Sequence, residues 1–469
     1  MQFGDSLVDP ANPPGFREVL ETQAVRQRII EYLGGDTLED ASCLFLGRLD
    51  PLNPSRFERQ APEQLHSLLD ESCELARSLE DRAHMLIHLD IEYVNFDDPA
   101  AAYLDPQRVF RLQEPLVEVI ETRLLALGIH YLHIVTGQGH HFVWKIRKCS
   151  PIAKAIMRLG ICTTPDQMPT PDPLFPHIAL MMEYLAHLIK PEAAAACAIP
   201  VEITAQHVGP GRFGAREMLS IDISEYGDPL ESRMIRLPYT VYRKPWISGL
   251  IDRLGISSQV PEFFALPLHE MNVLQLIEHR HQPQFIVDLA HRAGVEIPLE
   301  EKGTRSLLNA YRASGLIGFH RDFYASAHPP PALLLADSAT GLLANLPPCT
   351  TRVLSQPNDL LLKPSGMQLV TRCLLAEGWH PRHIAALISA IFQNPAHDWS
   401  CHWDEYDPIL RAEFYVRLFS GQIHQGIDQG IDFNCCSQQE KQFCWDPVNC
   451  SLEPYFKRAY PTHKIHPLS

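Results

Sequence analysis

Met85-Leu-Ile-His-Leu-Asp-Ile-Glu-Tyr-Val94 is the stretch on which the reading of this chain turns. It has the composition of a strand, and alternate residues of a strand share a face, so Asp90 and Glu92 project together. An uncompensated carboxylate pair inside so apolar a strand is costly. Such a pair offers hard oxygen donors suited to Mg2+ or Mn2+. The same two residues also suit the acidic side of a strand that faces solvent.

The neighbouring sequence adds a helix and a hairpin. After Asp97-Asp-Pro99, residues 107–127 place Leu112, Leu116, Ile120, Leu124 and Leu127 at helical spacing, and Gly128 supplies a stop. Ile129–Val135 reads as a second strand, Thr136-Gly-Gln-Gly139 as a turn and His140–Ile146 as a third strand. Strand, helix and hairpin in succession predict a compact α+β sheet with one face covered. Two glycines in the turn let backbone amides approach an anion, and a histidine just beyond can add a charged donor. An ordinary hairpin with one packed histidine fits the same residues. On the third strand His141, Val143 and Lys145 share one face, and His140, Phe142 and Trp144 the other.

Residues 151–197 are Pro-rich and then helical over 177–190, as an insertion would be, and strands resume at 199–204 and 218–224. In Leu219-Ser-Ile-Asp222-Ile-Ser224 a single acid again stands in an apolar strand. Arg233–Trp246 is an extended arm dense in Arg, Lys and Pro, whose Arg236 and Lys244 could hold a polyphosphate. A solvated basic arm is the plainer reading of those residues.

Together these stretches resemble the catalytic domain of the archaeo-eukaryotic primase (primase-polymerase) superfamily. The likeness lies in an acidic strand Asp-x-Glu, then Thr-Gly-x-Gly-x-His, then a strand Asp followed by Arg-x-Pro and a downstream Lys, over about 160 residues. The resemblance implies that Asp90, Glu92 and Asp222 are catalytic acids that bind two Mg2+ or Mn2+ ions. It also implies that His141, Arg236 and Lys244 contact the nucleotide phosphates. Tyr242 is a departure, standing where many relatives carry a histidine or asparagine ahead of the lysine.

Twelve cysteines in a long chain, unevenly spread, do not read as a secreted disulfide framework. Cys435, Cys436, Cys444 and Cys450 crowd into one short stretch, which in a reducing compartment suggests a metal or cluster site. Leu346-Pro-Pro-Cys349 opens a series running through Gly366, Leu374-Leu-Ala-Glu-Gly-Trp379 and a helix at 381–393 started by Pro381 and ended by Asn394-Pro395. That order looks like the iron–sulfur domain of the large subunit of the same primases, over about 110 residues. It implies that Cys349, Cys435, Cys444 and Cys450 ligate a [4Fe–4S] cluster. Cys436 is a rival to Cys435, and zinc is the alternative to iron–sulfur. Cys401 and His402 are further candidates for a zinc site, and buried free cysteines are the plain alternative. His380 and His383, at the start of one helix, read as exposed or packed residues.

Hydrophobic residues make up 45% of the chain and charged residues 20%, the proportions of a globular protein. No apolar run reaches the roughly 18–20 residues of a membrane helix. The N-terminus lacks the features of a signal peptide, so the expected location is the cytoplasm, with no membrane partner. A net charge of −16 excludes a protein coated in basic surface, so any nucleic acid must meet a local groove.

The expected fold class is an α+β catalytic domain of two RRM-like halves, with mixed or antiparallel sheets and helices, followed by a mainly helical domain. The predicted succession is 1–80 mainly helical, 81–250 catalytic with a helical insertion at 165–197, 251–340 a helical connector in which Pro329-Pro-Pro331 marks a linker, and 341–469 helical and cysteine-rich. The implied activity is template-directed nucleotidyl transfer from NTPs or dNTPs on single-stranded DNA. A helicase or other replication or defence-system proteins are further expected partners. A non-catalytic nucleic-acid-binding module, or a metal-dependent nuclease or phosphohydrolase using the same acids, is the alternative.

Overall fold

The computed structural model describes residues 15–50, 57–162, 172–204, 216–327, 346–357, 361, 363–394, 397, 407–444 and 450–461. The Pro329–Pro331 linker, Cys401, His402 and residues 165–171 of the insertion lie outside them. The strands in chain order are β1 Leu46–Leu49, β2 Phe57–Gln60, β3 Leu75–Ser78, β4 His84–Asn95, β5 Leu132–Val135, β6 Gly139–Arg147, β7 Val201–Ile203, β8 Glu217–Asp222, β9 Met234–Arg236, β10 Thr240–Val241 and β11 Phe264–Pro267. With the helices between them they make an α+β protein. No helix of the described residues is long and apolar enough to cross a membrane.

The chain divides into two compact units, and each is built from separated stretches. The first unit comprises Met1–Val94, Asp98–Lys154 and Leu230–Ser306; the second comprises Asn95–Asp97, Ala155–Pro229 and Leu307–Ser469. This differs from the expected succession of domains. The region 1–80 is not mainly helical, since it contributes β1, β2 and β3 beside the short helices Phe16–Glu21, Gln23–Tyr32 and Leu65–Asp70. These strands are four residues long and each carries at least one charge, so they hold too little apolar alternation to be seen in sequence. The expected connector supplies β11 to the first unit's sheet, while residues 155–229 fold with the C-terminal helices.

In the first unit β1 pairs with β2 and β3, and β3 with β9, all antiparallel. A second antiparallel set runs β10, β11, β5, β6, β4. The helix Pro106–Leu127 buries Val109, Phe110, Leu116, Val117, Ile120 and Leu124. Asp105 caps its start by accepting from the Arg108 amide at 3.0 Å, and Pro106 occupies the first turn, where no N–H is needed. Gly128 ends it at φ +71°, in the left-handed region that glycine adopts readily.

In the second unit β7 and β8 pair in parallel, and the helix Leu174–Ala196 covers them with a largely buried surface. The helices Pro348–Ser355, Pro364–Ala376, Pro381–Phe392 and Pro408–His424 form its C-terminal part. Each begins with proline at its first position, which explains how well their starts are marked in sequence.

Buried ionisable groups hold the second unit together. Glu183 accepts from His320 Nε2 at 3.1 Å and from Arg417 Nε at 2.8 Å. Burial alone would raise its pKa, but Arg417 and His320 beside it lower it to about 2. Burial lowers the neighbouring His187 to about 3. The unfolded chain takes up a proton at His187 near pH 6.5 and one at Glu183 near 4.5, whereas the folded chain does so only far lower. Stability is therefore expected to fall by up to about 1.4 kcal/mol per pH unit as pH drops below about 6.5, and more steeply below about 4.5. Thermal melts from pH 7.5 to 5 check this, and His187→Leu should flatten the upper part of the decline. A Tm independent of pH over that span would contradict it.

Candidate active site

Strand β4 presents His88, Asp90 and Glu92 on one face, and its other face buries Leu89, Ile91 and Tyr93. The β4–β6 register places Asp90 directly opposite His141 and Glu92 opposite Gly139. His141 Nε2 stands 3.6 Å from Asp90 Oδ1, and the His88 ring meets the His141 ring edge-on at 4.5 Å. Burial, with His88 and Arg236 nearby, holds the His141 pKa well below its usual value. Burial thus favours the neutral imidazole, which can donate one N–H.

The glycines of the Thr136–Gly139 turn serve packing. A methyl at Gly139 would strike the Ile91 carbonyl oxygen at 1.7 Å, and one at Gly137 would meet the Tyr242 ring at 2.3 Å. Thr136 N donates to Gly139 O at 2.9 Å, and Arg280 donates to Thr136 O at 2.6 Å. The loop is thus bound tightly to β4 and to the arm that carries Tyr242.

That arm delivers the cations. Arg236 ends β9, and Lys244 opens the short helix Lys244–Ile247. The Arg236 guanidinium lies over the Tyr242 ring, 4.4 Å from its centroid. Tyr242 in turn stacks on Phe263 at 5.4 Å. Burial works against the charge of Arg236, but Glu74, Tyr242 and Asp90 outweigh it and raise its pKa. Lys244 is raised chiefly by Glu92, against burial. Glu92 is thus the main charge acting on Lys244, whereas Asp90 acts on Arg236 only after Glu74 and Tyr242, and all of these residues belong to the first unit.

Glu74, just before β3, was not legible in sequence. Its side chain is fully buried and accepts from Arg236 Nε at 2.8 Å, from Arg236 Nη2, from the Arg243 amide and from the Lys244 amide at 2.8 Å. As a lone acid ahead of a short apolar run, it carries no sequence signal of that role.

Asp222 ends β8 in the second unit, where its Oδ1 accepts from the Ser224 amide at 2.8 Å. Among the described residues no three His, Cys, Asp or Glu side chains are placed to hold a metal ion. In donor chemistry Asp90 and Glu92 fit a hard divalent cation, and within the first unit they stand as a pair. A cavity of about 240 Å3, lined by Phe110, Glu114, Glu118, Glu121 and His140 among others, lies on the other face of β6 from His141. Its three carboxylates would repel a polyphosphate.

The candidate ligand cysteines lie in the second unit. Cys349 is buried at the start of its helix, and burial pushes its thiol up to about 12, with Cys450 and Cys444 adding to the effect. Cys373, not anticipated, receives a hydrogen bond from Thr350 Oγ1 at 3.1 Å beside it. Cys435 opens the helix Cys435–Glu440 and is half-buried. Its rival Cys436 is exposed, with its sulfur 3.5 Å from Glu440 Oε1. Thiolates are soft donors that suit iron–sulfur or zinc.

No protein-family model, no curated protein and no solved structure matches the chain. The case for function therefore rests on the side chains themselves.

Proposed function

We propose that the first unit carries out nucleotidyl transfer on a single-stranded DNA template, using NTPs or dNTPs, as a primase or primase-polymerase of the superfamily it resembles. The observation that carries this reading is the juxtaposition on one sheet face of two carboxylates and a histidine directly across the ladder, with Glu92 the main charge acting on Lys244 and Asp90 a lesser one acting on Arg236. Carboxylates without cations would suit a metal alone, and cations without carboxylates would suit an anion alone. The two together suit a metal-bound polyphosphate.

Mg2+ or Mn2+ bound at Asp90 and Glu92 would supply activation of a primer hydroxyl and charge neutralisation on pyrophosphate. Lys244 and the Nη1 corner of Arg236 then offset phosphate charge, and the neutral His141 donates an N–H to a phosphate oxygen. Asp222 enters as the third acid on the strength of the sequence order. The two RRM-like halves also belong to this reading. So does a [4Fe–4S] cluster on Cys349, Cys435, Cys444 and Cys450, for which the exposure of Cys436 favours Cys435.

Labelled nucleotides on a primed and an unprimed single-stranded template, with Mg2+ or Mn2+, provide the test. Lengthening products support the reading, shortened template favours a nuclease, and binding with neither outcome favours a non-catalytic module. Anaerobically purified protein should be brown, absorb at about 400 nm and hold about four irons per chain. Colourless protein with one zinc would refute the cluster.

A further inference from the structure

We propose that Glu74 is the positioning residue of the nucleotide site, a single carboxylate that sets where both phosphate-binding cations stand; this rests on the nucleotidyl-transfer reading. Arg236 and Lys244 sit on different elements, the end of β9 and the start of the helix Lys244–Ile247. Both meet at Glu74. Its Oε1 takes the Nε and Nη2 donors of Arg236, and its Oε2 takes the backbone amides of Arg243 and Lys244. An ionised carboxylate offers about four acceptor positions, so Glu74 is fully used. It is neither a metal ligand nor a general base.

The grip acts differently on the two cations. Arg236 is held by its side chain, with the Nε–Nη2 edge on Glu74 and the guanidinium face on Tyr242. The Nη1 corner takes no part in the pairing. The β3–β9 ladder fixes the same residue through the Ala76–Arg236 register, two residues beyond Glu74. Lys244 is held by its backbone amide, so Glu74 sets where its side chain starts while the ammonium stays coupled to Glu92. Donors locked before substrate arrives cost no reordering when the phosphate binds. Glu74 therefore acts through Arg236 and Lys244 on ground-state binding of the triphosphate.

Glu74→Gln in the full-length chain tests this. It keeps the side chain's size but presents an N–H to donors already in place. With Mg2+ or Mn2+ and a primed single-stranded template, the KM for nucleotide is expected to rise about tenfold or more, as loss of a hydrogen bond to a charged group implies. Template affinity, read by anisotropy, should stay within about twofold. Adding Arg236→Gln should raise KM by less than Arg236→Gln does in the wild-type chain, since the grip on Arg236 is already lost. Glu74→Asp keeps the charge but draws it back by one methylene, and should lie between wild type and Glu74→Gln.

A folded Glu74→Gln with wild-type KM overturns the assignment, and an equal loss of template affinity marks Glu74 as scaffold alone. If Glu74→Gln does not fold, Glu74→Asp decides: a wild-type KM at an unchanged Tm overturns the proposal. A folded wild-type chain that neither binds nor incorporates nucleotide sinks the nucleotidyl-transfer reading, and Glu74's role with it. That outcome appears before any variant is made, so the two failures are distinguishable.

Discussion

Asp90→Ala is expected to abolish nucleotide incorporation, with kcat lowered by about a thousandfold or more, while the template still binds. The size follows from the role proposed for Asp90. A lost metal ligand removes the charge that positions the metal, and Glu92 alone cannot replace it. The fold should survive, because the Asp90 side chain is partly exposed at the sheet face and stands beside a second carboxylate whose repulsion it shares. Primer extension with Mg2+ or Mn2+, alongside anisotropy on the same template, separates the two effects. Asp90→Asn, closer in shape, should be nearly as inactive. Full incorporation by either variant would remove Asp90 from the site.

The second large effect is on stability. Arg372 is buried and holds Asp428 through Nε at 3.0 Å and Nη2 at 2.7 Å, and Asp432 through Nη1 at 2.7 Å. Lys441 also reaches Asp432, and Tyr460 donates to Asp428 at 2.8 Å. Burial alone would raise the Asp428 pKa, and Arg372 is the main cause of its fall below the usual carboxylate range. Arg372→Ala leaves two buried carboxylates short of their fork, at an expected cost of about 3–5 kcal/mol. Arg372→Lys should recover little, since an ammonium cannot span both acids in the same way. Calorimetry of the second unit's transition should show Tm down by at least about 6 °C. A shift below about 2 °C would show that the triad contributes little net stability. Cys435 lies between Asp432 and Lys441 in sequence, so the variant is also expected to retain less iron if the cluster is present.

Much of the first unit's centre was legible in advance. The strand of Asp90, the helix that Gly128 ends and the Thr136–Gly139 hairpin were each marked by periodicity or by a residue with one physical use. The helix Pro381–Phe392 was marked by its proline in the same way. Other features were hidden for physical reasons. Strands β1 and β2 are short and charged, so they gave no alternation to read. The roles of Glu74 and of the Arg372 triad depend on residues far apart in the chain, and one charged side chain in sequence does not disclose its partner. The basic arm was visible as charge, but not that Glu74 grips Arg236 or that Glu92 is the main charge acting on Lys244. The neutrality of His141 follows from burial and from the neighbouring His88 and Arg236, which the strand pattern did not reveal.

The interleaving of the two units also bears on how the protein is made. Synthesis proceeds at about 5–20 residues per second, and domains tend to fold as they emerge. The first unit cannot be completed until Ser306 has left the ribosome, because Leu230–Ser306 belongs to it. Ala155–Pro229 emerges earlier, yet its unit is completed only by Leu307–Ser469. The helix Leu174–Ala196 meets β7 and β8 soon after it emerges, but its buried Glu183 must wait for His320, 137 residues on, and Arg417, 234 residues on. A newly made chain thus passes through an interval in which the second unit is incomplete, and a fragment stopped at Ser306 would never leave it.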